Sequence, residues 1–215
     1  MLHTAEALIL RTYALGESDR IVVFLTRDRG KRRGVAKNAR QSRRRFGGAL
    51  EPMTYGRVGY VERERRDLVF VNYVEPIRSP LSAADGEALG YVGYFAELID
   101  EWAPDGDPNE TLFRLGVSMV DAMAAGVPVE PLARYFEFWL LRIQGVYQPD
   151  PKASHEAMAF LQAARTCSPF ALTAQSASPT ALRELESSHR AMMTVHLERE
   201  LRSTKVLREM RRPIL

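Results

Sequence analysis

Cysteine is nearly absent from this chain: Cys167 stands alone among 215 residues. One thiol excludes an internal disulfide and leaves no thiolate set for a zinc site, so Cys167 is expected to be a half-buried spectator and the chain to need no metal and no cofactor. Long apolar runs are missing too. Stretches such as 68–71 and 138–141 fall far below the roughly 20 residues a membrane-spanning helix requires. From Met1 into Thr4 and Glu6 there is no basic segment followed by an apolar one, so no secretory leader is expected and the cytoplasm is the expected compartment. No repeat is found, and no low-complexity stretch is longer than 175–179. Gly30, Gly34, Gly47 and Gly48 are not followed by Gly-Lys-Ser/Thr, which leaves ATP use without support.

With 46% hydrophobic and 27% charged residues, the chain can bury a sizeable core, and its length suits two domains. The formal charge of +3 hides an imbalance. Residues 1–80 hold 17 basic against 9 acidic side chains (+8), and residues 81–215 hold 13 against 18 (−5). A basic half beside an acidic half points to a polyanionic partner for the first alone.

Hydrophobic periodicity changes at the same place. Short β-rich runs at 5–13, 20–26, 31–36, 53–61 and 68–75 predict five strands, with turns at 27–30 and 63–67. Five short strands in about 75 residues suit a small barrel, either an OB-fold or an SH3-like one. After Pro80 the period becomes about 3.6. Ser82 and Asp85 resemble a capping box ahead of a helix carrying Ala88, Val92, Phe95, Ile99 and Trp102. Further helices are predicted from about 109 to 123, from Pro131 to Ile143, over 154–164, and after Pro179 as far as Arg211 with a break at Ser187-Ser188. The expected architecture is α+β, an amino-terminal β-barrel over 1–80 followed by an all-α helical bundle over 81–215.

The most informative segment is 27–45. Ten of its nineteen residues are basic: Arg27, Arg29, Lys31, Arg32, Arg33, Lys37, Arg40, Arg43, Arg44 and Arg45, with Asp28 the only acid. A packed strand cannot bury that many cations without partners, so most should face solvent or a ligand. Phosphate fits, because the guanidinium fork matches its oxygens and each contact releases counterions. Residues 38–48 have little apolar content and end in Gly47-Gly48, which predicts a mobile loop tracking a nucleic-acid backbone without reading bases. At the second turn, Arg63, Arg65 and Arg66 are nearly cancelled by Glu62, Glu64 and Asp67. Phe24, Tyr55, Tyr60, Phe70 and Tyr73 alternate as core residues do, whereas Phe46 follows three arginines and is the aromatic left as a candidate for a base contact.

Enzymatic readings are weaker. Glu97, Asp100 and Glu101 have a spacing that metal-dependent strand cleavage would use, but the same spacing is common on a solvated helix face. His3, His155, His189 and His196 are scattered and are expected at the surface or its boundary. No enzyme is expected; an RNA-binding barrel protein stands as the alternative to a DNA-binding one.

The segment 5–12 leading into Gly16-Glu17-Ser18-Asp19-Arg20, then Phe24-Leu25-Thr26, Gly30 and Val35-Ala36-Lys37-Asn38-Ala39-Arg40, resembles the opening of the RecO family of bacterial DNA repair and recombination mediators. Asn38 stands where that family usually has glycine, a mild departure because asparagine tolerates the left-handed region. Leu50-Glu51-Pro52, Arg66-Asp67-Leu68, 136–145 and Leu201-Arg202-Ser203 with Leu207 fit the same pattern, so the likeness runs over nearly the whole chain. It implies an OB-fold followed by a helical domain, binding of single- and double-stranded DNA, annealing of complementary strands, and help in loading RecA onto strands coated by single-stranded-DNA-binding protein. RecR, sometimes with RecF, is the implied partner. A four-cysteine zinc module that many members carry has no counterpart beyond Cys167. The family's helical domain receives the acidic, apolar tail of the single-strand-binding protein. Here the cations Arg202, Lys205, Arg208, Arg211 and Arg212 around Val206, Leu207 and Met210 are the expected receptor, with Arg142 beside Trp139 as the second choice.

Overall fold

Successive side chains of a strand point to opposite faces, so a strand that is apolar on both must be covered on both. The first strand is of that kind. A computed structural model describes residues 2–62, 67–82 and 86–210. In β1 (Leu2–Leu15), Ala5, Ala7 and Ile9 face a barrel interior while Leu8 and Leu10 point outward into a second core. β2 (Asp19–Thr26) repeats the pattern, with Val22 and Phe24 inside and Val23 and Leu25 outside. With β3 (Gly30–Ala36), β4 (Tyr55–Val61) and β5 (Val69–Arg78) the sheet closes in the order β1-β2-β3-β5-β4 and back to β1, the β3 and β5 contact being its one parallel pair. This is the OB-fold topology, and it sets aside the SH3-like alternative. Residues between β3 and β4 plug the barrel: Phe46, Ala49 and Leu50 pack with Phe24, Val58 and Tyr60.

The pairing of β1 with β2 slips between Ile9 and Arg11. Ile9 lies opposite Phe24, yet Arg11 lies opposite Val23, so this bulge places Leu10 and Arg11 on one face. Beyond it the alternation is reversed: Thr12 and Ala14 continue the inner face, Arg11, Tyr13 and Leu15 the outer one.

A 3₁₀ turn (Pro80–Ser82) leads into α1 (Gly86–Trp102), α2 (Glu110–Ala124), α3 (Val129–Ile143), α4 (His155–Ala164), α5 (Pro179–Leu197) and α6 (Arg202–Met210). Asn109, Ser154 and Ser178 cap α2, α4 and α5 by accepting the amide three residues on. The capping box at Ser82 needs Asp85, which lies outside the described residues. The break expected at Ser187-Ser188 falls instead at 198–201. There Glu198 turns left-handed (φ 55°), Leu201 is buried, and Glu97 of α1 accepts from the amides of Arg202 (3.1 Å) and Ser203 (2.7 Å) to start α6. A tertiary cap supplied from 105 residues away carries no local signal.

The helices do not stand apart from the barrel. Leu8, Leu10, Val23, Leu25 and Met53 share one core with Phe95, Ile99, Leu112, Phe136 and Leu140. Contact is close enough that a Cβ on Gly116 of α2 would stand 2.8 Å from the Leu8 side chain.

Candidate nucleic-acid interface

Strand alternation decides the fate of the ten cations. Lys31 and Arg33 lie opposite Leu25 and Val23 on the outer face, where Lys31 is buried and Arg33 stays exposed. Lys31 is 8% exposed; its Nζ donates to the Asp100 carbonyl at 2.6 Å and pairs with the carboxylates of Asp100 and Asp105, each at 3.5 Å. Buried and saturated, it cannot also bind phosphate, which corrects its expected role. Arg33 reaches Asp105 at 3.8 Å and Arg32 reaches Glu62 at 3.5 Å. Arg27 holds Glu110 at 2.7 Å and Glu6 at 3.6 Å, and its pKa is raised, chiefly by the hydrogen bond it donates to Glu110. Arg29 lies 3.8 Å from Asp28. The strand cations are thus paired, and the segment 27–33 joins the barrel to the acidic helical half through Lys31 and Arg33 to Asp100 and Asp105 and through Arg27 to Glu110.

The remaining five, Lys37, Arg40, Arg43, Arg44 and Arg45, belong to residues 37–48, which contain no carboxylate. This segment was expected to be a mobile loop, but it is a series of turns tied down at both sides. The amides of Gln41 and Ser42 return to the Asn38 carbonyl, Phe46 bonds back to Ser42, and Val74 of β5 donates to the Arg45 carbonyl. On the other side Arg40 donates from its backbone to Ser18 and from its guanidinium to Glu17 (3.2 Å), and the Asn38 amide donates to Asp19 at 2.8 Å. Asn38 has φ 54°, the left-handed conformation that glycine or asparagine supplies.

Phe46 organises the loop. It is 1% exposed inside the barrel, so its candidacy for a base contact is overturned: the barrel end was the core the sequence did not reveal. Arg45 lies over its ring at 5.0 Å and donates to the Lys37 carbonyl at 2.6 Å, which makes Arg45 half structural. Lys37 lies over the ring of Phe70 at 5.8 Å. Arg43 and Arg44 are exposed, with no carboxylate partner among the described residues. Arg20 was missed; it lies opposite Ala36, next to Lys37, and donates to Thr12 at 3.3 Å. Isolated in a strand, it gave no local signal. Arg63, Arg65 and Arg66 lie outside the described residues.

In the helical half the acidic triad is not a solvated face. Glu97 and Asp100 are buried. Asp100 pairs with Lys31 and Arg11, and Glu101 with Arg199 and Arg11. Burial alone would raise the Glu97 carboxyl, but the hydrogen bonds from Ser203 and Arg202 hold it below the usual carboxylate range. Among the described residues no three of His, Cys, Asp and Glu gather as a metal site would require. His189, expected near the surface, is 1% exposed, bonded to the fully buried Glu137 at 3.0 Å, which also receives Arg134 (2.7 Å) and the Tyr94 hydroxyl (2.6 Å). That cluster satisfies charge inside the bundle. Cys167 is a half-buried free thiol whose pKa burial raises.

Arg202, Lys205 and Arg208 are exposed on α6, and Arg208 is held by Glu200 at 2.8 Å. Val206 and Met210 are exposed, but Leu207 is buried against Gly90 of α1 and is lost to the expected apolar receptor. Arg208 instead lines a cleft of about 280 Å³ between α5 and α6 with Arg183, Arg190 and Thr204. Arg142 is elsewhere, at the end of α3 over Phe138 (5.4 Å) and Trp139 (5.7 Å). Arg211 and Arg212 lie outside the described residues.

An OB-fold barrel with a helical unit packed on its outer face, and with Arg43 and Arg44 exposed on its carboxylate-free 37–48 segment, defines the class. The model of the Recombination protein O N-terminal family matches residues 1–80 and that of the C-terminal family residues 83–150. The chain belongs to the RecO family. It is 44% identical over 151 residues to the DNA repair protein RecO of Koribacter versatilis, a match covering 70% of this chain and 61% of that one. It is 42% identical over 140 residues to that of Anaeromyxobacter sp. strain K (64% and 55%) and 40% over 141 to that of Geobacter metallireducens (65% and 57%). These matches span a little over half the length of the relatives. The family models stop at residue 150, so the expected likeness around Leu201 and Leu207 is not among what they match.

Proposed function

We propose that this chain is a DNA-binding recombination mediator of DNA repair. It holds single- and double-stranded DNA through phosphate, with little base preference, at the barrel end formed by Lys37, Arg40, Arg43, Arg44 and Arg45. The observation that carries this reading is the pair Arg43 and Arg44, exposed on a carboxylate-free segment whose backbone is fixed at both sides. Arginine contacts to phosphate position a strand without reading it, and neutralising two strands at one surface lowers their mutual repulsion, which is what annealing requires. Membership of the family supports the same role. In this reading the chain works in the cytoplasm at the nucleoid, without a catalytic step of its own, beside RecR, with or without RecF, in loading RecA. The α6 cations and the Arg183, Arg190 and Arg208 cleft receive the acidic tail of the single-strand-binding protein.

The decisive test is the annealing of complementary strands precoated with single-strand-binding protein. Acceleration by the wild type and its loss in an Arg43→Gln, Arg44→Gln double variant are expected; a wild type that does not accelerate annealing overturns the reading. Matched RNA strands separate it from the RNA-binding alternative.

A further inference from the structure

With Phe46, Phe24 and Tyr60 inside the barrel, a single strand has few aromatic rings to stack on. Tyr55, Phe70 and Tyr73 are half-buried, and Tyr13, at 44% exposure, is the one exposed aromatic among the barrel's described residues. Its position follows from the β1 bulge. Without the extra residue, Tyr13 would continue the inner face with Ile9; the slip between Ile9 and Arg11 turns it outward, opposite Ile21, with exposed Leu15 beside it on the same face. Bulges of this kind re-aim side chains next to functional sites.

The ring is also held. Arg11 donates to the Tyr13 hydroxyl at 2.9 Å with its guanidinium 5.8 Å from the ring centre, and Arg11 is itself fixed by Asp100 at 3.2 Å. The hairpin that carries Tyr13 is the one on which the basic segment is anchored: Arg40 bonds to Glu17 and Ser18 in its turn. Three residues of extended strand, about 10 Å, separate Tyr13 from that turn. A strand with a phosphate on Arg40 at that turn then has an exposed, pre-oriented ring on the same hairpin.

We propose that Tyr13 is a nucleobase-stacking platform that makes the barrel hold single-stranded DNA more tightly than duplex DNA. This rests on the phosphate-binding reading of residues 37–45 and adds a base contact to it. A base in a duplex is already stacked and cannot use the ring, whereas an unpaired base of any identity can.

The test measures binding by the full chain of three fluorescent probes: an oligo(dT) strand, an abasic strand of equal length, and a duplex. Tyr13→Ala should weaken oligo(dT) binding roughly 5- to 150-fold, the range of one lost stacking contact, and leave the abasic strand and duplex unchanged. Tyr13→Phe, which loses the bond to Arg11 but keeps the ring, should bind oligo(dT) within about twofold of wild type. In Tyr13→Trp, oligo(dT) and not the abasic strand should quench the introduced indole. Unchanged oligo(dT) binding by Tyr13→Ala overturns the proposal. An equal loss on the abasic strand also overturns it, since the effect is then structural. A wild type that binds none of the probes removes the phosphate site and the platform with it, a result distinct from the first two.

Discussion

Neutralising Arg43 and Arg44 together, as Arg43→Gln and Arg44→Gln, separates the charge seen in the sequence from the charge available in the fold. Each phosphate neutralised on a single strand or duplex contributes about 0.7 to 0.9 to the log-log salt slope. If all ten cations of 27–45 bound phosphate, the slope would be about −7 to −9. The structure leaves Lys37, Arg40, Arg43, Arg44 and Arg45 without a carboxylate partner, which gives about −3.5 to −4.5 and a loss of roughly 130- to 500-fold in affinity between 50 and 200 mM salt. The double variant should then show about −2.1 to −2.7 and lose only about 20- to 40-fold over the same range. Fluorescence anisotropy titrations at five or six salt concentrations measure both slopes. Arg33→Gln should leave the slope at the wild-type value, because Asp105 already holds that guanidinium. Lys31→Gln should do the same while costing about 3 kcal/mol of stability, since a buried pair loses one partner although Arg11 still faces Asp100. A wild-type slope near −8, or a double variant with the wild-type slope, would refute the reasoning.

Two further outcomes are expected. Phe46→Ala should cost about 3–5 kcal/mol in denaturant unfolding, as removal of a fully buried aromatic does; unchanged stability with weaker single-strand binding would return Phe46 to the role the sequence suggested. Glu97 has a lowered folded-state pKa, so its contribution is present above the ordinary carboxylate pKa near 4.3 and is lost as pH falls through the lower folded value. The stability gap between wild type and Glu97→Ala, about 1–3 kcal/mol at pH 7 for bonds to a charged acceptor, should narrow steadily below about pH 4, and a gap constant from pH 7 to pH 3 would contradict the cap on α6.

The strands and most helices were legible because each carries its own period. Ile9, Val22 and Phe24 alternate as barrel residues must, and Asn109, Ser154 and Ser178 announce their helices. What could not be read were the long-range partners. Lys31 looks like every other cation in its run until Asp100, 69 residues away, is placed beneath it. His189 looks like a surface residue until Glu137 is found against it. Phe46 sits among arginines, and no local pattern reveals that the barrel end lacks a plug. The β1 bulge was equally silent, so Tyr13 could not be assigned a face.

The charge imbalance between the halves therefore has two consequences, of which the sequence suggested one. A +8 half facing a −5 half reads as DNA binding, yet Lys31 and Arg33 of the strands pair with Asp100 and Asp105, and Arg27 with Glu110, and these pairs tie the barrel to the helices. Strand alternation divides the cations of β3: Lys31 is buried on the outer face and must be paired, whereas Arg33 stays exposed and reaches Asp105 from the surface. Cations that are to meet phosphate must then sit where the barrel leaves the sheet, beyond Ala36, and that is where residues 37–45 are. In the proposed function, with Leu8, Leu10, Val23 and Leu25 of the outer face packed into the helical core, DNA approaches the barrel from its end. The β1–β2 hairpin and the 37–48 turns are the elements exposed there, and a strand laid across them meets unpaired arginines first and the Tyr13 ring next.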